Sequence, residues 1–403
     1  MMRAVIVIGT YTILNILAVF LMDRWLSRCS DKYRENVAAR VIIDFLYIVI
    51  AAVPVLGNFI LDKEAQFFVN RFSYIWLGYL MYFGGLLLIA TIVDLIVIGV
   101  YKARSKGSAE GKRHTGIYKL VFVLLIIVPV GLNAYGMIHA RDTVIKEYNV
   151  KIDKKVERTK EYRIALIADL HIAENSSESM MKNMVDLVNE QDPDVVLVGG
   201  DLFSSNYYGV AHPKRYEKIL SRIESDEGVY WVYGNHDVQE PLFCGFALRD
   251  PEFALRSREM DDFIEKSGFT PLADEAVTLA GGEIQLVGRK DMSKTGDGTK
   301  KRMDAGKLLS NLDKNKPIIV LEHEPADYKA LAKGGADISL SGHTHAGQVF
   351  PGTIVTRLLN DMVYGLDTRA GMQVLVTSGV GFYGAPLRIG TNSEVVIINM
   401  TFR

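Results

Sequence analysis

Four apolar runs, at residues 4–22, 41–61, 73–101 and 119–138, fill most of the chain before residue 140, and nothing like them follows. A membrane span needs about 20 mostly apolar residues, and each run reaches that length. A helix on the surface of a soluble domain keeps a polar face. Four successive runs without one predict four transmembrane helices, an all-α membrane domain over residues 1–140. The first run lacks the short apolar core and small-residue cleavage site of a signal peptide, and three more runs follow it. Hydrophobic residues make up 49% of the 403 residues, concentrated in this part. Beyond residue 150 the sequence reads as an ordinary soluble domain.

Orientation follows from the short loops. The first carries Arg24, Arg28, Lys32, Arg34 and Arg40, and the third Lys102, Arg104, Lys106, Lys112 and Arg113. The second has only Lys63 and Arg71, and the N-terminal segment only Arg3. Excess Lys and Arg marks the cytoplasmic side. The expectation is therefore a multi-pass protein of the cell membrane with its soluble domain on the extracytoplasmic side. Arg141, Lys146, Lys151, Lys154 and Lys155 run against that count, but long translocated domains obey the rule poorly. Asp44 and Asp94 interrupt the second and third runs and are read as carboxylates partnered between spans. The net charge of −1 gives no field that would favour nucleic acid. The two cysteines, Cys29 and Cys244, supply neither a disulfide framework nor a thiolate metal site.

Residues 141–160 are rich in charge and read as a linker to a domain over 161–403. Within that domain, short runs of Val, Ile and Leu end abruptly in residues that bind metals. The run 163–168 leads to Asp169-Leu170-His171, 195–198 to Gly199-Gly200-Asp201, and 229–233 to Gly234-Asn235-His236-Asp237. The run 318–321 leads to His323, and 338–340 to Gly342-His343-Thr344-His345. Such continuous runs, separated by helical stretches such as 179–190, suit the buried strands of an α/β fold. Ligands in open α/β sheets gather beyond the carboxyl ends of the strands. A lone histidine is an ordinary core or surface residue. Five of the eight histidines at strand ends, beside two aspartates and an asparagine, predict a metal centre. Imidazole with carboxylate suits zinc, iron or manganese. Gly200, Gly234 and Gly342 fit sharp turns at those ends.

In order, these five blocks resemble those of the calcineurin-like metallophosphoesterases. The stretch from Leu321-Glu322-His323-Glu324-Pro325 to Ser341–Gln348 looks like their bacterial membrane-associated branch, and with its spans the whole chain resembles the transmembrane metallophosphoesterase-domain proteins. The resemblance implies a four-layer α/β/β/α sandwich and two divalent metal ions. One would be held by Asp169, His171, Asp201 and His345, the other by Asp201, Asn235, His323 and His343, with Asp201 bridging. Two cations about 3.5–4 Å apart lower the pKa of a shared water and clamp the oxygens of a phosphoryl group. His236 would either donate a proton to the leaving oxygen or stabilise charge on the phosphoryl. Asp237 would either fix the His236 tautomer or cap a helix start. Ser204 stands where the second block often has aspartate, and Ala346 where that branch often has glycine.

The implied activity is hydrolysis of a phosphoester or pyrophosphate at the membrane surface by a metal-bound hydroxide. A lipid-linked substrate of the UDP-2,3-diacylglucosamine type, as in lipid A biosynthesis, is one form of it. The alternative is a non-catalytic scaffold or receptor built on the same fold. The expected partners are the bilayer and a phosphorylated substrate, with no nucleic acid. Specificity would come from the loops: Phe243, Phe246 and Phe253 in one, Leu358, Leu359 and Met362 in another. Lys294, Lys300, Lys301 and Arg302 read as a solvated face. Arg388 would meet a phosphate or a carboxylate.

Overall fold

The structure, a computed structural model, describes residues 2–57, 60, 62–104, 115–243, 246–248 and 254–403. Residue 61, Lys106, Lys112, Arg113, Cys244 and Phe253 lie outside the described residues, as do the side chains of Arg3, Lys63 and Phe246. The chain forms two compact units, Met1–Tyr135 and Gly136–Arg403.

The first unit contains helices α1 (Met2–Cys29), α2 (Asp31–Glu35), α3 (Val37–Leu56), α4 (Lys63–Arg104) and α5 (Thr115–His139), whose last turn belongs to the second unit. All but the short α2 are long and apolar enough to cross a membrane. Helix α3 begins four residues before its apolar run because the Asn36 side chain accepts from Ala39 N and caps it. At 42 residues α4 is about 63 Å long, twice the roughly 30 Å hydrocarbon core. Its first turns, with Glu64, Asn70 and Arg71, are the part that precedes the apolar run.

Outward-facing Leu14, Ile42, Leu95 and Ile127 are exposed, as lipid-facing side chains are. Inside, polar groups close on one another. Trp25 Nε1 donates to Thr91 Oγ1 at 2.9 Å, Trp76 Nε1 to the Tyr11 hydroxyl at 3.0 Å, and that hydroxyl to Ala51 O at 2.7 Å. Asp94 accepts from Arg24 at 3.0 Å and from Arg28 and the Tyr118 hydroxyl at 2.8 Å each. It is a structural carboxylate joining α1, α4 and α5. Asp44 Oδ1 is buried without a hydrogen-bond partner among the described residues.

The second unit runs β1 (Thr143–Ile152), β2 (Glu161–Ile167), α6 (Glu178–Asn189), β3 (Val195–Val198), α7 (Pro213–Leu220), β4 (Val229–Trp231), β5 (Leu242–Phe243), β6 (Phe246–Ala247), α8 (Arg258–Lys266) and β7 (Phe269–Pro271). It continues with β8 (Glu275–Leu279), β9 (Ile284–Gly288), α9 (Ala305–Leu308), β10 (Ile318–Leu321), α10 (Tyr328–Gly334), β11 (Ile338–Ser341), α11 (Gly352–Leu359), β12 (Gly365–Arg369), β13 (Met372–Val376) and β14 (Ser393–Phe402). One six-stranded sheet has the order β1-β14-β2-β3-β4-β7, the other β12-β13-β11-β10-β9-β8. The runs β2-β3-β4-β7 and β9-β10-β11-β13 are parallel.

Strand side chains alternate between faces. Ile164 and Leu166 of β2 therefore meet Ile319, Leu321 and Leu340 of the other sheet in a core between the two. Ala165 and Ile167 pack instead against Met181, Met184 and Val188 of α6. On the far face of the second sheet, Val320 and Val374 pack under Leu309 and Leu331. The result is a four-layer α/β/β/α sandwich.

Residues 141–160, read from their charge as a linker, contain β1, paired in parallel with β14 over ten residues. Within the strand Lys146, Glu147 and Lys151 are exposed, while Val150 and Ile152 enter the inter-sheet core.

Candidate metal centre

Five parallel strands, three from one sheet and two from the other, end beside one another, and the chain turns sharply after each. Asp169, His171, Asp201, His343 and His345 all have positive φ, between 46° and 73°. A non-glycine residue held there costs on the order of 1–3 kcal/mol, a strain that concentrates at functional sites. Gly200 also has positive φ (87°), whereas Gly234 and Gly342 serve close approach. A Cβ at Gly234 would lie 2.2 Å from Asp201 Oδ1, and one at Gly342 2.5 Å from Asp169 Oδ2.

All seven residues expected to hold metal are brought together. His171 Nε2 lies 3.0 Å from His345 Nε2 and 3.6 Å from Asp201 Oδ2, and His345 Nε2 lies 3.8 Å from Asp169 Oδ1. On the other side, His323 Nε2 is 3.1 Å from Asp201 Oδ2, 3.0 Å from Asn235 Oδ1 and 3.2 Å from His343 Nδ1. Asn235 Oδ1 is 3.0 Å from His343 Nδ1. Asp201 Oδ2 thus faces both groups. Asp169 also accepts from His343 N at 3.0 and 3.1 Å, so one carboxylate seats another donor.

The donor set fits divalent cations. His323 Nδ1 lies 2.8 Å from Gly199 O and donates to it, which leaves the Nε2 lone pair facing the oxygens of Asp201 and Asn235. Lone pairs converging in a buried place need a positive charge between them, and imidazole, carboxylate and amide oxygen suit zinc, iron or manganese. The carboxylates that would hold a cation also draw a proton to the same His323 Nε2 lone pair. Burial opposes a charge on His323, yet Asp201, Asp169 and Asp291 push it well above the usual imidazole range. Burial also works against ionised Asp201, but the charges of His323, His236 and His171 hold it well below the usual carboxylate range. Asp169 is pushed up to about 7 by burial, with His323 opposing and Asp201 adding to the rise. Burial pushes His171 down to about 4.

His236 is placed without being needed as a ligand. Its backbone N–H donates to Asp201 Oδ1 at 2.7 Å, its Nδ1 is 2.7 Å from Ser205 Oγ, and its ring lies 4.3 Å from that of Tyr383. Asp237 does not touch the His236 ring. Its carboxylate accepts from the backbone N–H groups of Asp201 and Gly234 at 2.8 Å each and of Phe203 at 3.0 Å. Asp237 therefore clamps two strand-end loops to each other. Ser205, not Asp237, is the hydrogen-bond partner of the His236 ring.

Other expectations change in the same way. Arg388 meets no carboxylate among the described residues: it is wholly buried, Nη2 donates to the carbonyls of Ser378, Gly379 and Gly381 at 2.7, 3.0 and 2.6 Å, and His345 Nδ1 lies 3.5 Å away. In the basic loop, only Lys300 and Lys301 form a solvated face. Lys294 is buried against Glu240, and Arg302 against Glu322 and Asp327. Phe243 and Met362 are buried and rim nothing, whereas Leu358 and Leu359 are exposed. Ser204, in place of aspartate, sits with Oγ 3.3 Å from His171 Nδ1.

Sequence reasoning missed Ser205 and Tyr383. Ser205 carries no pattern of its own. Tyr383 had a usable signal, since it follows the apolar strand β13 and a glycine-rich turn, as the other site residues follow theirs.

Residues 162–347 match the family model described as Calcineurin-like phosphoesterase. The chain is 30% identical over 392 residues to a Danio rerio protein named Transmembrane protein with metallophosphoesterase domain, covering 94% of this chain and 85% of that one. A Bos taurus protein of the same name is 26% identical over 384 residues, 92% and 84% of the two chains. An uncharacterized metallophosphoesterase of Helicobacter pylori is 32% identical over 265 residues, 64% of this chain and 63% of its own, so the match spans slightly under two thirds of that relative. With fish and cattle among the relatives, the likeness is not confined to a bacterial branch.

Proposed function

The chain belongs to the calcineurin-like metallophosphoesterases, hydrolases that act on phosphoester bonds with a metal centre, and from that membership we propose that its substrate is an amphiphilic phosphoester or pyrophosphate cleaved at the membrane surface. The observation that carries this reading is the coexistence, in one chain, of seven converging metal donors and four helices suited to a bilayer. A non-catalytic scaffold would need none of the strained backbone that holds those donors.

The residues divide the work as follows. Asp169, His171, Asp201 and His345 would hold one divalent cation, and Asp201, Asn235, His323 and His343 the other. When bound, the pair supplies Lewis-acid activation of water and neutralises charge on the phosphoryl oxygens. With Ser205 engaging Nδ1, His236 has Nε2 free to face the substrate, where an N–H donates to the phosphoryl or leaving oxygen. Asp237 keeps the loops of Asp201 and Gly234 in register while this happens.

Orientation decides which amphiphile is meant. The loop charges support an extracytoplasmic catalytic domain and a lipid-linked substrate in that leaflet. A UDP-2,3-diacylglucosamine-type pyrophosphate has the right chemistry but faces the cytoplasm, so it becomes the substrate only if the orientation is reversed. Native Cys29 is buried and will not report the side. Cysteines placed at exposed Glu35 and Lys300 will. An impermeant thiol reagent on intact cells is expected to label Lys300→Cys and spare Glu35→Cys; the opposite pattern restores the nucleotide-lipid reading. Substrate class is tested by kcat/KM for a lipid-linked phosphoester against its water-soluble headgroup, with the full chain in a bilayer. Equal efficiency on the two overturns the amphiphile.

A further inference from the structure

Helix α11 is amphipathic in the wrong sense for a soluble protein. At about 100° per residue, Ile354, Val355, Leu358 and Leu359 fall within an arc of about 140°. Those four side chains are 51, 52, 80 and 77% exposed. Thr353 and Thr356, on the other side of the helix, are the half-buried ones. A surface helix that owes its place to packing buries its apolar stripe. This one packs through its polar side and holds its apolar stripe away from the domain.

Two further features say what covers that stripe. Phe350, two residues before α11, donates its N–H to Ile389 O at 2.9 Å. Ile389 packs on Gly136, where an added Cβ would be 3.0 Å from Ile389 Cγ1, and Gly136 O accepts from Arg388 N at 3.1 Å. Gly136 begins the last turn of α5, a helix that meets the requirements for a span over Thr115–His139. The approach to α11 is therefore tied by hydrogen bonds, within the second unit, to the point where the chain leaves the bilayer. Arg357 flanks the apolar arc, as basic residues do on helices that lie in a lipid interface.

We propose that α11 lies in the headgroup region of the bilayer with Ile354, Val355, Leu358 and Leu359 immersed. The helix starts seven residues after His345, and the turn His345–Gly347 packs directly on it: a Cβ at Gly347 would meet Thr353 Cα at 2.5 Å. Immersion thus sets the loop of His343 and His345 at the membrane surface. The inference rests on the reading that the enzyme works there, and it supplies the surface that presents the site to lipid.

The test uses the full chain with Cys29→Ser and Cys244→Ser, one copy per lipid nanodisc, and a spin label at Leu358→Cys, with Val355→Cys as a second position. The label's relaxation by oxygen is compared with that by a water-soluble nickel chelate, against a control at exposed Thr368→Cys. Immersion gives high oxygen and low nickel collision rates at 355 and 358, and the reverse at 368. Water-like rates at all three positions overturn the proposal. So does spin–spin broadening at 358 in multi-copy micelles, which would assign the stripe to a second copy. No substrate enters the measurement, so loss of the lipid preference with an immersed label removes the substrate reading alone. A water-exposed label beside a retained preference removes only the helix.

Discussion

Both units bury charged side chains, and the interior of the spans treats Asp94 in the opposite way to the metal centre's treatment of Asp201. Between the spans, Asp94 is closed off: two guanidinium groups and a phenol occupy its oxygens. At the strand ends, Asp201 Oδ2 and Asn235 Oδ1 face imidazole nitrogens, while Gly234 and Gly342 pack against the outer oxygens of Asp201 and Asp169. The first arrangement is complete within the protein and holds helices together. The second is complete only with an added cation, which is what makes it reactive. A buried carboxylate is thus informative through its partners rather than its burial.

The contrast is open to a graded series of substitutions. Asp201→Asn should have the largest effect, because one side chain faces both donor groups: elemental analysis should show the binuclear centre lost and turnover at background. Retained metal in this variant would mean that Asp201 does not bridge. His236→Ala comes next, with metal content unchanged and turnover lower by about 10²–10⁴-fold, the scale of a proton donor. Ser205→Ala should lower kcat by about tenfold at unchanged metal content, since it removes only the partner that orients His236, an effect typical of groups one contact away from the chemistry. The smallest effect on catalysis belongs to the membrane unit. Asp94→Asn should lower the thermal stability of the spans in detergent by about 1–2 kcal/mol, the scale of polar contacts between membrane helices. Hydrolysis of a soluble aryl phosphoester at low temperature should not change. A fall in that activity would show that the two ways of burying charge are not independent.

The sequence shows the donors because metal chemistry restricts residue type and because strand ends give the restriction a place in the chain. Apolar runs terminated by Asp169, Asp201 or His323 are legible for that reason. The partners of those donors are less so. Whether Asp237 meets an imidazole or three backbone amides depends on how two loops pack, and no spacing encodes it. Ser205 is one serine among many until the fold sets it beside His236. β1 was hidden by its exposed Lys146, Glu147 and Lys151, charges on a sheet-edge strand that make it look like a tether. Arg388 misleads for a related reason: a guanidinium suggests an anion, but here a glycine-rich turn offers carbonyls instead. In the membrane unit, length and composition place the helices, while capping by Asn36 and the polar first turns of α4 decide where they begin.

The pairing of β1 with β14 has a consequence for how the protein is made. Thr143 and Ser393 are partners although 250 residues separate them. A ribosome adding about 5–20 residues per second leaves β1 without its neighbour for roughly 10–50 s. Throughout that interval a ten-residue strand with open hydrogen-bonding edges emerges directly behind a newly inserted span. Unpaired edges of this kind recruit other chains. Biosynthesis of this enzyme therefore has a vulnerable window whose length is set by strand order, and slowing translation between residues 152 and 393 should raise the fraction of chains that aggregate before the sheet can close.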